Sequence, residues 1–232
     1  MKGVPRLTLG QLTAATRPIC YGVLKPGQEP ADGVPMIRVT DISSNYFDDR
    51  NLMRISRELD EEFRRSRLMG GEILVSIQGT IGRIAICPPE YRGANISRTI
   101  AVVHADSRVH REYLYWYLRF LSNTDGFASV GSTRASLNIE TLRKVEIPVP
   151  RLDEQRRIAA ILDQADALRR NRERAAALLD ELTDAIFIKL FGDPRVDAAR
   201  WPTLAFDEAC RDETSKSEKL QRGEYLKQGT YP

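Results

Sequence analysis

Residues 153–191, DEQRRIAAILDQADALRRNRERAAALLDELTDAIFIKLF, contain no Gly or Pro and carry apolar side chains in a 3-4-3-4 rhythm. Ile158, Ile161, Ala165, Leu168, Ala175, Leu179, Leu182 and Ile186 mark a heptad seam, interrupted once at mid-length by Arg172. The spacing predicts one continuous helix, roughly 58 Å long at 1.5 Å per residue. Pro148 and Pro150 precede it, Asp153 is its expected N-cap, and Gly192 with Pro194 closes it. A helix of that length cannot hide its seam inside a small domain of its own. It requires a second long helix, from the same chain or from another copy.

The rest of the chain must therefore be read as what this helix holds. Its 232 residues suit one full domain with extensions, or two small domains. No apolar run approaches the roughly 18 residues of a membrane span, and MKGVPRLTLG lacks the apolar core of a signal peptide. Cys20, Cys87 and Cys210 are far apart and form neither a metal-ligand pattern nor a disulfide frame, so a reducing cytoplasm is expected. Charge is uneven. Residues 1–150 carry 20 Lys and Arg against 16 Asp and Glu, and residues 151–232 carry 15 against 16. Of the 20 cations in the first part, 17 are Arg, which suits phosphates and guanine edges but is also what a GC-rich genome encodes.

Taken in order, Val4, Arg6, Leu7 and Leu9 read as an edge strand or the entry into a turn, and the Gly- and Pro-dense residues 20–33 as a loop or hairpin. VPMIRVTDI at 34–42 alternates like a strand. Residues 56–68 read as a helix capped by Ser56, with Leu59, Phe63 and Leu68 on its apolar face. Residues 72–88 are two β-rich runs around Gly79-Thr80-Ile81-Gly82, and residues 95–105 are another strand. A helix follows at 111–123, a polar loop at 129–140 and a short strand at 145–150. The expected fold is α+β: a mixed, β-rich domain with short helices over 1–150, a long coiled-coil helix over 151–192, and a remainder over 193–232. Leu7–Leu12 aligns weakly with Leu204–Ala209, which suggests that a second copy of the first domain begins at Trp201. Residues 210–232 are expected to be loosely ordered without a second chain.

Three stretches resemble the specificity subunit of type I restriction–modification systems. Leu74-Val75-Ser76-Ile77-Gln78-Gly79-Thr80-Ile81-Gly82-Arg83 is similar to the central hairpin of that family's target recognition domains. Gly131-Ser132-Thr133-Arg134-Ala135-Ser136-Leu137-Asn138 is similar to its polar loop before the last strand. Ile147-Pro148-Val149-Pro150, followed by Leu152-Asp153-Glu154-Gln155-Arg156-Arg157-Ile158, is similar to the start of its helical spacer, and Phe191-Gly192-Asp193-Pro194 to the spacer's end. The resemblance implies recognition domains that each read half of a split DNA target, with long antiparallel helices as a ruler between them. This chain departs from the pattern in having one such domain, one spacer helix and the beginning of a second domain. The resemblance further implies partners: double-stranded DNA, adenine methyltransferase subunits and a restriction/translocase subunit. S-adenosylmethionine, ATP and Mg2+ are expected on those partners, and no cofactor or metal on this chain.

Reading bases takes short polar groups on rigid loops with cations around them. In the 76–83 hairpin, Ser76, Gln78 and Thr80 supply donors and acceptors. Gly79 and Gly82 allow close approach of the backbone, and Arg83 can reach phosphate or guanine. Ser132, Thr133 and Arg134 do the same in the polar loop. Lys25, Arg38, Thr40 and Arg98 face either DNA or solvent. A plain Gly-turn hairpin and a solvated loop are the alternatives to both sites. Tyr113, Tyr115, Trp116, Tyr117 and Phe120 on one helix read as core, with base stacking as the alternative. Asp163, Asp166, Asp180, Glu181 and Asp184 read as a solvated helix face or a docking face. Nothing here composes a catalytic site. Cys87-Pro88-Pro89-Glu90 resembles the Asp/Asn-Pro-Pro-aromatic loop of adenine methyltransferases but matches it at neither end. The seam from Ile158 to Ile186, Arg172 included, is expected to pair antiparallel with that of a second copy. A coiled-coil scaffold with a protein-binding β-rich domain is the alternative of another class, and a small nuclease is a third.

Overall fold

The computed structural model describes residues 3–27, 30–43, 47, 51–124, 126–127, 137–193 and 196. By packing, the chain divides into two units, Met1–Arg172 and Glu173–Pro232. The first unit is built on a four-stranded antiparallel sheet in the order β2-β8-β5-β6, from Cys20–Tyr21 (β2), Ile73–Ser76 (β5), Ile84–Ile86 (β6) and Ile100–Val103 (β8). β5 pairs with β8 from Ile73↔Val103 to Ser76↔Ile100 and with β6 from Ile73↔Ile86 to Val75↔Ile84.

Every residue of β5 and β8 is buried, which explains why ILVS and IAVV are nearly unbroken apolar runs. Alternate side chains enter two different cores. Ile73, Val75, Ala101 and Val103 face one cluster with Leu9, Leu114, Leu118 and Ile147. Leu74, Ile100 and Val102 face the other with Ile37, Ile42, Leu68, Cys87 and Ile96.

A three-stranded sheet, β4-β3-β7, joins Met53–Ile55 (β4) and Asn95–Ile96 (β7) to the two sides of Val34–Ile37 (β3), antiparallel and parallel respectively. Arg6–Thr8 (β1) pairs antiparallel with Glu146–Pro148 (β9), so the start of the chain lies against the strand that leads into the long helix. Chain crossing is tight at Gly22. A Cβ there would stand 1.8 Å from the Ile96 carbonyl oxygen, so only glycine fits.

Several expected elements are shorter or broken. Ser56 does cap a helix, its hydroxyl accepting from Leu59 N–H at 3.2 Å, but this helix, α1, spans only Arg57–Glu62. A 3-10 turn, Arg64–Ser66, replaces its continuation. Ser66 Oγ lies 2.8 Å from the Phe63 carbonyl oxygen and 2.7 Å from Asn95 Oδ1, which pulls the backbone out of helical register. The strand expected over 95–105 is two strands in two sheets, β7 and β8. They are separated by a turn in which Ile100 N–H donates to the Ser97 carbonyl at 3.1 Å and the Ser97 and Thr99 hydroxyls meet at 2.6 Å. The helix Arg111–Asn123 (α2) has the expected bounds, and the strand expected over 145–150 is limited to β9. Within the expected loop, Asn138 caps a short helix, Ile139–Arg143 (α3), accepting from Thr141 N–H at 2.7 Å. The remainder from Trp201 and the expected order of 210–232 fall outside the described residues.

The long helix α4 runs Leu152–Phe191, about 60 Å by its 40 residues. Asp153 lies inside its first turn rather than capping it. Gly192, at φ +83°, ends it and donates to the Ile188 carbonyl at 2.8 Å. Gln155 anchors its start. The side chain is fully buried, accepts from His110 N–H at 2.7 Å and donates to the carbonyls of Pro150 at 2.8 Å and Arg108 at 3.3 Å. Gln155→Ala leaves three backbone groups unpaired. It is expected to cost on the order of 3 kcal/mol and to lower the thermal midpoint by about 6–12 °C, measurable by calorimetry.

The first turns of α4 pack on α2. Trp116 Nε1 donates to Asp163 at 2.8 Å, and Asp166 is ion-paired with Arg119 at 3.5 Å, Arg169 at 2.9 Å and Arg170 at 3.1 Å. Asp166 is thus structural, while Asp163 stays exposed despite its bond to Trp116, as do Asp180, Glu181 and Asp184 of the expected solvated face. Ile158 and Ala159 pack into the first unit's core, while Ile161 and Leu168 are exposed at 54% and 64%. In the second unit Leu179, Leu182 and Ile186 of the seam are exposed as well, and so are Leu178, Phe187, Ile188, Leu190 and Phe191. No helix among the described residues is long and apolar enough to cross a membrane.

Candidate nucleic-acid interface

The β5–β6 hairpin supplies the first part of the site. Ser76 is fully buried. Its hydroxyl donates to the Thr80 carbonyl at 2.5 Å and accepts from Arg83 N–H at 2.7 Å, so it shapes the turn and cannot meet DNA. Gly79 and Gly82 both take positive φ, +75° and +84°. A Cβ on Gly82 would strike Ser122 Oγ at 2.1 Å, whereas one on Gly79 would meet open space. Gly82 therefore serves packing against α2, and Gly79 serves the exposed turn. Gln78 is half-buried and Thr80 exposed, with no side-chain hydrogen bond to any described residue.

Two of the expected contact arginines are already committed. Arg38 pairs with the buried Asp41 through Nη2 at 3.0 Å and Nε at 3.3 Å, and donates to the Asn51 carbonyl at 2.9 Å. Arg83 Nη1 donates to the carbonyls of Val39 at 3.0 Å and Ile42 at 2.9 Å. Both side chains staple the hairpin and β3 to the 3-10 turn Val39–Asp41, and neither is the free phosphate or guanine reader that its residue type suggests. Thr40 is exposed, with its hydroxyl 3.2 Å from Asp41 Oδ1. Ser132, Thr133 and Arg134 lie outside the described residues.

Arg98 and Gln78 come together. They border one concavity of about 310 Å³ with Tyr21, Leu24 and Asn138. Five segments converge there: the end of β2, the loop after it, the hairpin, the β7–β8 turn and the cap of α3. The parallel bridge Val23↔Ser97 and the bond from Arg98 N–H to the Val23 carbonyl at 2.8 Å hold the loop beside the turn. The Arg98 side chain is exposed and, like that of Lys25 nearby in the loop, bonds to no described residue. Tyr21, Leu24 and Asn138 escape a reading by residue type, because their exposure depends on which segments meet.

Elsewhere the chemistry is structural. Burial pushes the Cys87 thiol up to about 12, so it stays protonated, and it leans on the Pro88 carbonyl at 3.4 Å. Among the described residues no group of three or more His, Cys, Asp or Glu is placed to hold a metal ion. His104 is held below its ordinary imidazole range, by burial first and then by the Arg17 guanidinium, with buried Glu72 3.9 Å away opposing both. A depressed imidazole means that the unfolded chain binds more protons than the native one. Its stability contribution is complete above about pH 6.5 and shrinks as pH falls below that value. His104→Gln is expected to flatten this acid limb of a midpoint-versus-pH curve.

The sheet, buried through β5 and β8, thus presents the hairpin and the β7–β8 turn with Arg98 over one concavity, and β9 leads on into α4. The comparisons give the chain's family. Residues 27–178 match the family model described as Type I restriction modification DNA specificity domain, and the chain belongs to that family. It is 32% identical over 190 residues to the Type I restriction enzyme EcoBI specificity subunit of Escherichia coli, covering 79% of this chain and 40% of that protein. The chain thus spans less than half the length of this relative. It also shares its fold with the HsdS subunit from Thermoanaerobacter tengcongensis, with TM-score 0.55 and 22% identity over 82% of this chain and 45% of that one. A chain solved for complex assembly and conformational transition of the type I R-M system is similar at TM-score 0.57 and 23% identity, over 82% of this chain and 46% of that one.

Proposed function

We propose that this chain is a DNA-binding specificity subunit, or half of one, that reads one half of a split target and carries no catalytic site of its own. Residues 1–150 form the recognition domain, 151–192 the spacer helix, and 193–232 the start of a second domain. The observation that carries this reading is a separation of roles among the candidate contact residues, with Gln78 and Arg98 bordering one concavity. Arg38 and Arg83 are tied to the fold, while Gln78, Thr80, Arg98 and Lys25 bond to no described backbone and remain available to duplex DNA. The exposed part of the α4 seam pairs antiparallel with the same helix of a second copy, and a two-fold pair reads a palindromic split target. Adenine methyltransferase subunits using S-adenosylmethionine, and an ATP- and Mg2+-dependent restriction subunit, act at the place so chosen.

Co-expression with a methyltransferase subunit of such a system, followed by mapping of methylated adenines, tests this. A two-part motif that appears only with this chain supports the reading, and methylation unchanged when the chain is omitted defeats it. A salt titration distinguishes a protein-binding scaffold. For a DNA reader the logarithm of affinity falls linearly with log salt, whereas a scaffold shows no duplex affinity even at low ionic strength.

A further inference from the structure

Tyr21 and Leu24 break the polar character of the site just described. Each is 48% exposed, and they flank the concavity that Gln78, Arg98 and Asn138 also border. Its lining continues into Ile77, Leu137 and Ile139, of which Ile77 and Leu137 are buried. The site therefore has an apolar floor and apolar side walls, with polar groups between them. A phosphate site has the opposite make-up, donors without apolar walls. A lone exposed leucine needs no explanation, but a leucine and a tyrosine together over an apolar floor do.

The polar set narrows the ligand. Arg98 contributes donors only, and Gln78 one acceptor and two donors. Asn138 Oδ1 is occupied by Thr141 N–H at 2.7 Å, which leaves its amide NH2 as a donor. Such a set suits the carbonyl and ring-nitrogen acceptors of base edges. The apolar walls demand an apolar group beside them. In the major groove the bases display one such group, the C5 methyl of a pyrimidine.

Resting on the DNA-recognition reading above, we propose that this concavity is a 5-methylpyrimidine reader. Tyr21 and Leu24 enclose the methyl group of one thymine in the half-site, while Gln78 and Arg98 bond to the adjacent base edges. The pocket makes that position selective against cytosine, and it accepts 5-methylcytosine in thymine's place as far as the methyl contact is concerned.

The test uses the full chain and two randomised duplex libraries, one synthesised with thymine and one with uracil, each selected for binding at low salt and sequenced. The wild-type motif from the thymine library is expected to contain a thymine position whose preference falls by about threefold to fivefold in the uracil library, the worth of one buried methyl group. Leu24→Ala and Leu24→Thr, with unchanged thermal midpoints, are expected to show the same local loss in the thymine library and to keep the remaining positions. A cytosine at that position is expected to regain preference when supplied as 5-methylcytosine. The same motif from both libraries, or a motif unaltered by folded Leu24 variants, overturns the proposal. Enrichment of no motif from either library overturns the recognition reading itself, which separates the two failures.

Discussion

Replacing both Gln78 and Arg98 with alanine is expected to remove most of the base preference in the half-site, apart from the thymine position held by Tyr21 and Leu24, while leaving the thermal midpoint unchanged. The reason is their lack of structural employment. Neither side chain bonds to a described residue, and each borders the same concavity. Base contacts of this kind discriminate by about 1–3 kcal/mol each, so losing two is expected to weaken binding to the preferred duplex by about 100-fold. Binding to unrelated duplexes changes far less. Arg98 is the only one of the pair that carries charge, so the slope of log affinity against log salt falls by no more than about one unit. Fluorescence anisotropy over a salt series measures both quantities. Arg83→Ala supplies the contrast. It frees the carbonyls of Val39 and Ile42, so it is expected to lower the thermal midpoint and to disturb binding only through the hairpin. Should Gln78→Ala/Arg98→Ala retain the full preference, the interface lies elsewhere on the domain.

That contrast also shows what a linear sequence carries. The long helix is legible because its heptads are local: each seam residue is three or four positions from the next. The hairpin is legible for the same reason, since Gly79 and Gly82 mark the turn between two apolar runs. Ser56 announces its cap. What fails is whatever depends on partners far along the chain. Arg83 looks like a phosphate reader until it meets carbonyls 44 and 41 residues away. Asp166 looks solvated until Arg119 of α2 reaches it from 47 residues upstream, and the exposed Asp163 takes a bond from Trp116 at the same separation. Gln155 is one polar residue among many at the start of α4, and only folding brings it against His110 and Arg108. The β7–β8 break is invisible because Ser97–Thr99 makes its turn with hydroxyls instead of glycine or proline. Tyr21 and Leu24 read as loop residues, and their shared concavity needs five segments in place.

Duplicating one heptad of α4, Ala176–Leu182, is expected to lengthen the gap between half-sites by about three base pairs without changing the bases read. Seven residues add about 10 Å to a helix, and duplex DNA rises about 3.4 Å per base pair. In an antiparallel pair each recognition domain sits at the start of its own helix, so extending both helices moves the domains apart by the length added to one. The heptad keeps its phase, and Leu179, Leu182 and Ile186 still fall on the face that carries Ile161 and Leu168. Inserting two residues instead turns the following helix by about 200° and carries its apolar stripe away from the partner, so that variant is expected to lose self-association and the two-part motif together. Methylation mapping reads the gap, and light scattering reads the association. A gap unchanged by the heptad duplication, in a chain that still dimerises, removes the helix from its role as ruler.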